Sequence, residues 1–417
     1  MKPSVTLADV NAAARRIARH VLKSPCPESI ALAEITGARV CCKLDNLQRT
    51  GSFKERGARN ALALLTPAQR RRGVVTASAG NHALGLAYHG RLLGVPVTVV
   101  MPMHAPLIKQ ATCARLGARV VLDGQDFSEA RVRADALALA EELTYINGFD
   151  DPAIIAGQGT MALEILAQVP DVDAIVAPVG GGGLIAGLAV ATKALRPRVK
   201  IIGVESRETA SFTAALRAGR PVEIGRRPTL ADGLAVLKVG ANAFSLARGR
   251  VDRVVTVTED WIALAILRMA ELEKSVVEGA AAAPLAALMA GKLPELRGKK
   301  VVLTACGGNI DPAKLSRVIE HGLVADGRLC RFVVSISDRP GGLAALSRVI
   351  AEAGASIRDI THDRAFSGPD VSAVRAICTV ETRDRAHAAA LQRALRRANL
   401  PVIGVDDPWF RRSGSRA

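Results

Sequence analysis

Short apolar runs alternate with Ala- and Leu-rich stretches through residues 1–322. The runs GVVTAS (73–78), PVTVVM (96–101), RVVLD (119–123), AIVAPV (174–179), KIIGVE (200–205) and KVVLTA (300–305) are rich in β-branched residues. Their apolar positions are continuous rather than alternating, the pattern of strands buried on both faces. Helical stretches separate them, which predicts parallel strands joined by crossover helices, an α/β arrangement.

The pattern changes after residue 322. Residues 331–337, 356–364, 371–381 and 401–405 read as strands, with helical stretches after the first and the third. This βαββαβ order is that of a ferredoxin-like domain. Gly and Asp interrupt the preceding helical pattern at 323–330, so the expected organisation is a first domain over 1–322, a linker over 323–330, a second domain over 331–406 and a tail over 407–417.

Composition narrows the classes. Hydrophobic residues make up 49% and aromatics only 3%, which suits helices packed closely on sheets and argues against disorder. No apolar run approaches the roughly 18 residues of a membrane span, and the first twenty residues lack the apolar core of a secretory signal. The 7 cysteines are scattered, with only Cys41 and Cys42 adjacent; they form neither a disulfide framework nor a zinc spacing, and a reducing cytoplasm is expected. A formal charge of +17 raises nucleic acid as a partner, but the basic residues are dispersed and the runs at 70–72 and 226–227 lack interleaved aromatics. Solvated helix faces account for them better.

Several motifs sit where a strand ends or a helix begins, the places from which ligands are held in open α/β sheets. In VTASAGNHALG, strand 74–77 turns through Ser78, Ala79, Gly80 and Asn81 into a helix near His82. The turn is either an ordinary helix cap or a site for a carboxylate on free N–H groups. In APVGGGGLIAG, Gly180, Gly181, Gly182 and Gly183 stand between strand and helix. That is more glycine than packing needs, and successive N–H groups there suit a single phosphate. LTACGGNID ends a strand at Cys306, either a small buried residue or a partner for a flat heterocycle. In TGSFKERGA, Lys54 follows Phe53 at a helix start, either an exposed cap or a buried amine suited to bonding a carbonyl. A lysine, a phosphate cradle and a flat-ring partner together imply pyridoxal phosphate.

SFKERGA, SAGNHALG, FDDPAIIAGQGTMALEIL, PVGGGGLIAG and TLADGLAV occur in that family order, and essentially the whole chain resembles the threonine/serine ammonia-lyases (threonine dehydratases). The resemblance implies a fold-type-II, tryptophan-synthase-β-like pyridoxal-phosphate enzyme of two subdomains, the smaller roughly 50–150 inserted in the larger. Residues from Arg331, with DRPGGLAAL as the first strand–helix turn, resemble an ACT regulatory domain. By resemblance, Lys54 would bond the cofactor and later take the Cα proton. Phe53 would pack on the cofactor ring, Asn81 would bond its 3-hydroxyl and Cys306 would face its ring nitrogen. Gly180, Gly181, Gly182 and Gly183 would bind its phosphate, and Ser78, Ala79, Gly80, Asn81 and His82 the substrate carboxylate. The reaction implied is loss of water from L-threonine, giving 2-oxobutanoate and ammonia, with L-serine giving pyruvate. A role in amino-acid metabolism, including isoleucine biosynthesis, goes with it. A branched-chain amino-acid effector at Asp338, Gly341 and Gly342, allosteric control and a homodimer or homotetramer are further expectations.

Rivals differ at named residues. A serine racemase resembles this chain but has a Ser at the position of Ala79, and alanine cannot exchange a proton. The racemases' divalent metal site keeps Glu205 but meets Ser211 where a second carboxylate is expected, so no metal is assigned. A threonine synthase matches less well in length and motif context. A 3-hydroxyaspartate dehydratase needs an additional cation. A non-catalytic ACT-type amino-acid sensor is opposed by the intact Lys54, glycine loop and Asn81 turn.

Overall fold

The computed structural model describes residues 5–363, 372–400 and 402–405. They divide into two compact units, with the division between Leu315 and Ser316.

The first unit carries two sheets. A six-stranded sheet runs in the order Glu28–Ser29, Arg39–Lys43, Lys300–Thr304, Ala174–Pro178, Lys200–Ser206, Arg253–Val257. All of its neighbours are parallel except the first pair. A four-stranded parallel sheet, in the order Arg119–Leu122, Val97–Met101, Val74–Ala77, Thr144–Tyr145, comes from the stretch between Lys43 and Ala174. The central strands Ala174–Pro178, Val74–Ala77 and Val97–Met101 are buried at every position, as their continuous apolar runs require. Arg119–Leu122 departs from that expectation. It is partly exposed throughout because it lies at the sheet edge with one neighbour only.

Four strands escape the apolar-run reading. Glu28–Ser29 and Thr144–Tyr145 are too short for any periodicity. Arg39–Lys43 hides its apolar character in Cys41 and Cys42, which pack as small hydrophobes, and Arg253–Val257 is a half-exposed edge strand.

Crossover helices follow their strands closely. Asn81–Leu93 opens after Val74–Ala77, and Gly183–Leu195 after Ala174–Pro178. Both helices therefore present their N-termini at the carboxyl ends of strands, where ligands gather in open α/β sheets.

The second unit is an antiparallel sheet in the order Ser356–Asp363, Ala373–Glu381, Leu329–Ser337, Val402–Val405, with helices Gly342–Glu352 and Arg385–Arg397. Alternate residues of the two central strands are buried, and Phe332, Val334, Ile336, Val374, Ala376 and Cys378 meet Leu346, Ile350 and Leu391 in one core. This is the ferredoxin-like βαββαβ order; positions 364, 371 and 401 of the expected strands, and the tail, lie outside the described residues. The stretch 323–330, expected as a linker, is helix through Asp326 and strand from Leu329, because the helix that begins at Pro312 runs on to Asp326.

Candidate active site

A cavity of about 750 Å³ opens in the first unit. Its walls come from both sheets. Lys54 enters it from the first turn of the helix Lys54–Ala63. The loop before that helix is stitched to the loop after strand Lys300–Thr304. Phe53 N donates to Cys306 O at 2.9 Å and Gly308 N to Gly51 O at 2.9 Å, and Ser52 bridges Gly307. Lys54 and Cys306, far apart in sequence, are thereby fixed as neighbours.

The Lys54 amine has one hydrogen-bond partner among the described residues, Gly148 O at 2.5 Å, and no ion pair. It stands 5.2 Å from the centre of the Phe53 ring. Burial disfavours the ammonium form and lowers its pKa to about 8, partly offset by the Glu278 carboxylate. A neutral amine is therefore accessible near neutral pH.

The glycine loop meets strict steric limits. A Cβ on Gly180 would lie 2.5 Å from Gly233 O, one on Gly181 2.2 Å from the Phe149 ring, and one on Gly183 2.4 Å from Phe149 O. Gly182 has a φ of +92°, in the left-handed region open to glycine. None of the four N–H groups donates to a described residue. Together with the start of helix Gly183–Leu195 they form a cluster of uncommitted donors on the cavity wall, the cradle a phosphate needs.

Ser78, Ala79, Gly80, Asn81 and His82 line the same cavity. The helix Asn81–Leu93 begins at Gly80 with no side-chain cap, so its first N–H groups are unpaired. Gly80 N donates to Ser78 Oγ at 3.2 Å. The His82 ring turns away toward Ile146 O at 3.2 Å, and burial holds its pKa down to about 3, so it is neutral. Its contribution to an anion is therefore its backbone N–H rather than its ring. Cys306 is buried, and burial pushes its thiol well above the ordinary range, so it stays protonated.

The structure brings Phe53, Lys54, Ser78, Ala79, Gly80, Asn81, His82, Gly180, Gly181, Gly182, Gly183 and Cys306 to one cavity. Asp338, Gly341 and Gly342 belong to the second unit. There Gly341 has a φ of +100° and a Cβ on Gly342 would lie 2.1 Å from Ser337 O, so the turn before helix Gly342–Glu352 requires both glycines.

Glu278, Asn309, Phe149 and the segment 232–238 also lie on the cavity wall; the sequence gives none of them a role, although Phe149, Asn309 and 232–236 fall within motifs quoted above. Asn309 lies in a motif that was singled out for Cys306. Glu278 precedes an alanine-rich helix and looks like an ordinary N-cap in sequence. Glu205 is occupied elsewhere: its carboxylate accepts from Phe212 N at 2.7 Å, Thr213 N at 2.9 Å and Thr213 Oγ1 at 2.5 Å, and burial raises its pKa to about 7. No group of three or more His, Cys, Asp or Glu among the described residues could hold a metal ion, and no helix among them is long and apolar enough to cross a membrane.

The geometry fits pyridoxal phosphate. The uncommitted N–H cluster suits its phosphate, the poorly paired Lys54 amine its carbonyl, and the Phe53 and Cys306 walls its ring. Residues 17–307 match the family model of pyridoxal-phosphate dependent enzymes, and residues 331–397 match the ACT domain model. The L-threonine ammonia-lyase of Thermotoga maritima is 43% identical over 391 residues, 94% of this chain and 97% of that protein. The processed form of threonine deaminase isoform 2 from Solanum lycopersicum superposes with a TM-score of 0.72 at 38% identity, over 76% of this chain and 92% of that one. Maize serine racemase does so with a TM-score of 0.73 at 30% identity, over 76% and 98%. With a lysine, a glycine cradle and a ferredoxin-like second unit all in place, the chain belongs to the pyridoxal-phosphate dependent enzyme family and carries an ACT domain at its C-terminal end.

Proposed function

We propose that this protein is a threonine ammonia-lyase, which eliminates water from L-threonine to give 2-oxobutanoate and ammonia and acts on L-serine to give pyruvate. The observation that carries the reading is the Lys54 amine, which lines the same cavity as the glycine cradle and has, among the described residues, only the Gly148 carbonyl for hydrogen-bond partner.

Bound in the cavity, pyridoxal phosphate supplies an electron sink for the charge left when the substrate Cα loses its proton. The chain's own residues do the rest. Lys54 would hold the cofactor through Nζ and would be the base that takes the substrate Cα proton; a pKa of about 8 leaves neutral amine available near neutral pH. Gly180, Gly181, Gly182 and Gly183 hold the phosphate through backbone N–H groups. The free N–H groups at the start of helix Asn81–Leu93, with Ser78 Oγ, hold the substrate carboxylate and so orient Cα toward Lys54. Phe53 would pack on the ring, Asn81 would donate to its hydroxyl oxygen, and the neutral Cys306 thiol would face its nitrogen without supplying a charge, which would favour prompt elimination over transamination.

Ala79 carries no proton to exchange, which supports a lyase over a racemase. One observation keeps a second substrate in view. Lys109 lies on the cavity wall and is the kind of cation a side-chain carboxylate would need, so 3-hydroxyaspartate belongs in the test.

The remaining readings are proposals of the same standing: a cytoplasmic homodimer or homotetramer, a supply of 2-oxobutanoate to isoleucine biosynthesis, and allosteric control by a branched-chain amino acid at Asp338, Gly341 and Gly342. The deciding experiment measures 2-oxo acid release from L-threonine, L-serine, D-serine and 3-hydroxyaspartate, with and without isoleucine or valine. L-Threonine is expected to turn over fastest. Turnover of 3-hydroxyaspartate alone would overturn the substrate assignment, and an unchanged rate with both effectors would remove the regulatory one.

A further inference from the structure

A hydrogen-bonded chain crosses the cavity wall behind Asn81. Asn309 Nδ2 donates to Thr50 O at 2.6 Å and to Asn81 Oδ1 at 2.8 Å. Asn81 Nδ2 in turn donates to Glu278 Oε1 at 2.8 Å and Oε2 at 3.0 Å. Both ends of this chain, a backbone carbonyl and a carboxylate, can only accept. Its direction is therefore fixed. Turning the Asn81 amide over would set its oxygen against the carboxylate and its nitrogen against the Asn309 nitrogen.

The residue itself is closely packed. Glu278 N donates to Gly307 O at 2.9 Å. A Cβ on Gly307 would lie 2.4 Å from Glu278 Oε1, and one on the following Gly279 would lie 2.7 Å from Ala231 Cα. Both acceptors of Asn81 Nδ2 are oxygens of the one carboxylate and lie on one side of the nitrogen, which leaves one of its two N–H groups for another partner, and Asn81 lines the cavity. A ligand oxygen in the cavity is its natural partner.

We propose that Glu278 is a positioning residue of this site: its carboxylate fixes which way round the Asn81 amide stands, so that a donor faces the ligand, and sets a negative charge against the Lys54 amine. Glu278 is surrounded by groups of both signs. Lys109 and Lys54 favour its ionised form, Asp232 opposes it, and burial raises its pKa most of all. The neighbouring Cys306 thiol is neutral. Acting back on Lys54, the carboxylate favours the ammonium and so offsets part of the lowering that burial causes.

The proposal rests on reading the cavity as a pyridoxal-phosphate site, and E278Q separates the two. Glutamine keeps the shape but removes the charge, and its own amide can donate, so Asn81 is free to turn over. In the full-length apoprotein, pyridoxal phosphate is titrated and followed by absorbance. Separately, the pH dependence of Lys54 acylation is read by mass spectrometry. Wild type is expected to saturate, and its Lys54 to label with a midpoint near 8. E278Q is expected to bind pyridoxal phosphate about tenfold more weakly, the size of one lost hydrogen bond to a charged group, and its Lys54 midpoint is expected to fall. E278A should move both readings the same way, and if it does not fold, E278Q alone decides. An unmoved Lys54 midpoint in E278Q, or binding within about twofold of wild type, overturns the proposal. Failure of wild type to bind pyridoxal phosphate would sink the proposed function instead, leaving the acylation result to judge Glu278 by itself.

Discussion

Lys43 is buried in the first unit and Lys54 is half-buried on its cavity wall, and their surroundings have little in common. Lys43, at the end of strand Arg39–Lys43, spends its amine on Ser24 O at 2.6 Å, Glu164 Oε2 at 2.6 Å and Gln168 Oε1 at 2.9 Å. Beside it the fully buried Arg56 is gripped by Asp45 at 2.6 and 2.8 Å and by Glu164 at 2.6 and 2.9 Å. Lys54 has only Gly148 O. Burial lowers the pKa of both lysines, but at Lys43 Glu164 opposes it through charge and hydrogen bond. A buried amine with all its donors used is part of the scaffold. One left without an ion pair is available for chemistry. The two regions are also joined, because Arg56 lies on the helix that Lys54 begins, so the saturated cluster holds the unsaturated amine in place.

Substitution in each region should give opposite results. K54A is expected to cost at least about a thousandfold in turnover, since it removes both the cofactor bond and the base, while unfolding in denaturant stays cooperative. R56M is expected to do the reverse in kind. It strands Asp45 and Glu164 in the interior, and loss of one partner from a buried ion pair typically costs about 3–5 kcal/mol, read as a lower urea midpoint. An R56M protein as stable as wild type would show that the cluster does not anchor the helix. G181A comes next. Its Cβ would fall 2.2 Å from the Phe149 ring, and overpacking of about 1–3 kcal/mol should appear as pyridoxal phosphate binding weakened roughly ten- to a hundredfold.

A smaller effect tests the electrostatics directly. The folded pKa of Lys54, about 8, lies below the ordinary lysine value of 10.5. Below pH 8 the unfolded chain gains by carrying a proton the folded one holds poorly, and between about 8 and 10.5 the unfolded state binds more protons than the folded one. Stability of the wild-type apoprotein should therefore rise with pH across that window. K54M should be more stable than wild type at pH 7, with the gap closing toward pH 10.5. The smallest effect is expected at the cavity mouth, where Arg226 approaches Asp126 at 3.8 Å with its side chain 72% exposed. R226A should change stability by less than about 1 kcal/mol.

The same contrast explains what the sequence disclosed. Strands such as 97–101 were legible because burial on both faces leaves an unbroken apolar run, and the glycine loop because a Cβ there has nowhere to go. The saturated cluster was not legible, since Lys43, Asp45, Arg56 and Glu164 are charged residues scattered over a long stretch, and only the fold brings them together. Glu278 was hidden for a related reason. A glutamate before a run of alanines looks like a solvated helix start, and its role depends on Asn81, which is distant in sequence. Lys54 itself was ambiguous from its own neighbours and gained meaning only from motifs that the two sheets assemble around it.

The most direct test of the account asks which lysine carries the cofactor. The protein loaded with pyridoxal phosphate is reduced with borohydride to make the lysine bond permanent, digested, and mapped by mass spectrometry. The added pyridoxyl mass is expected on Lys54 and absent from Lys43. Its appearance on Lys43, or on any lysine other than Lys54, would contradict the claim that the half-buried amine without an ion pair is the catalytic one.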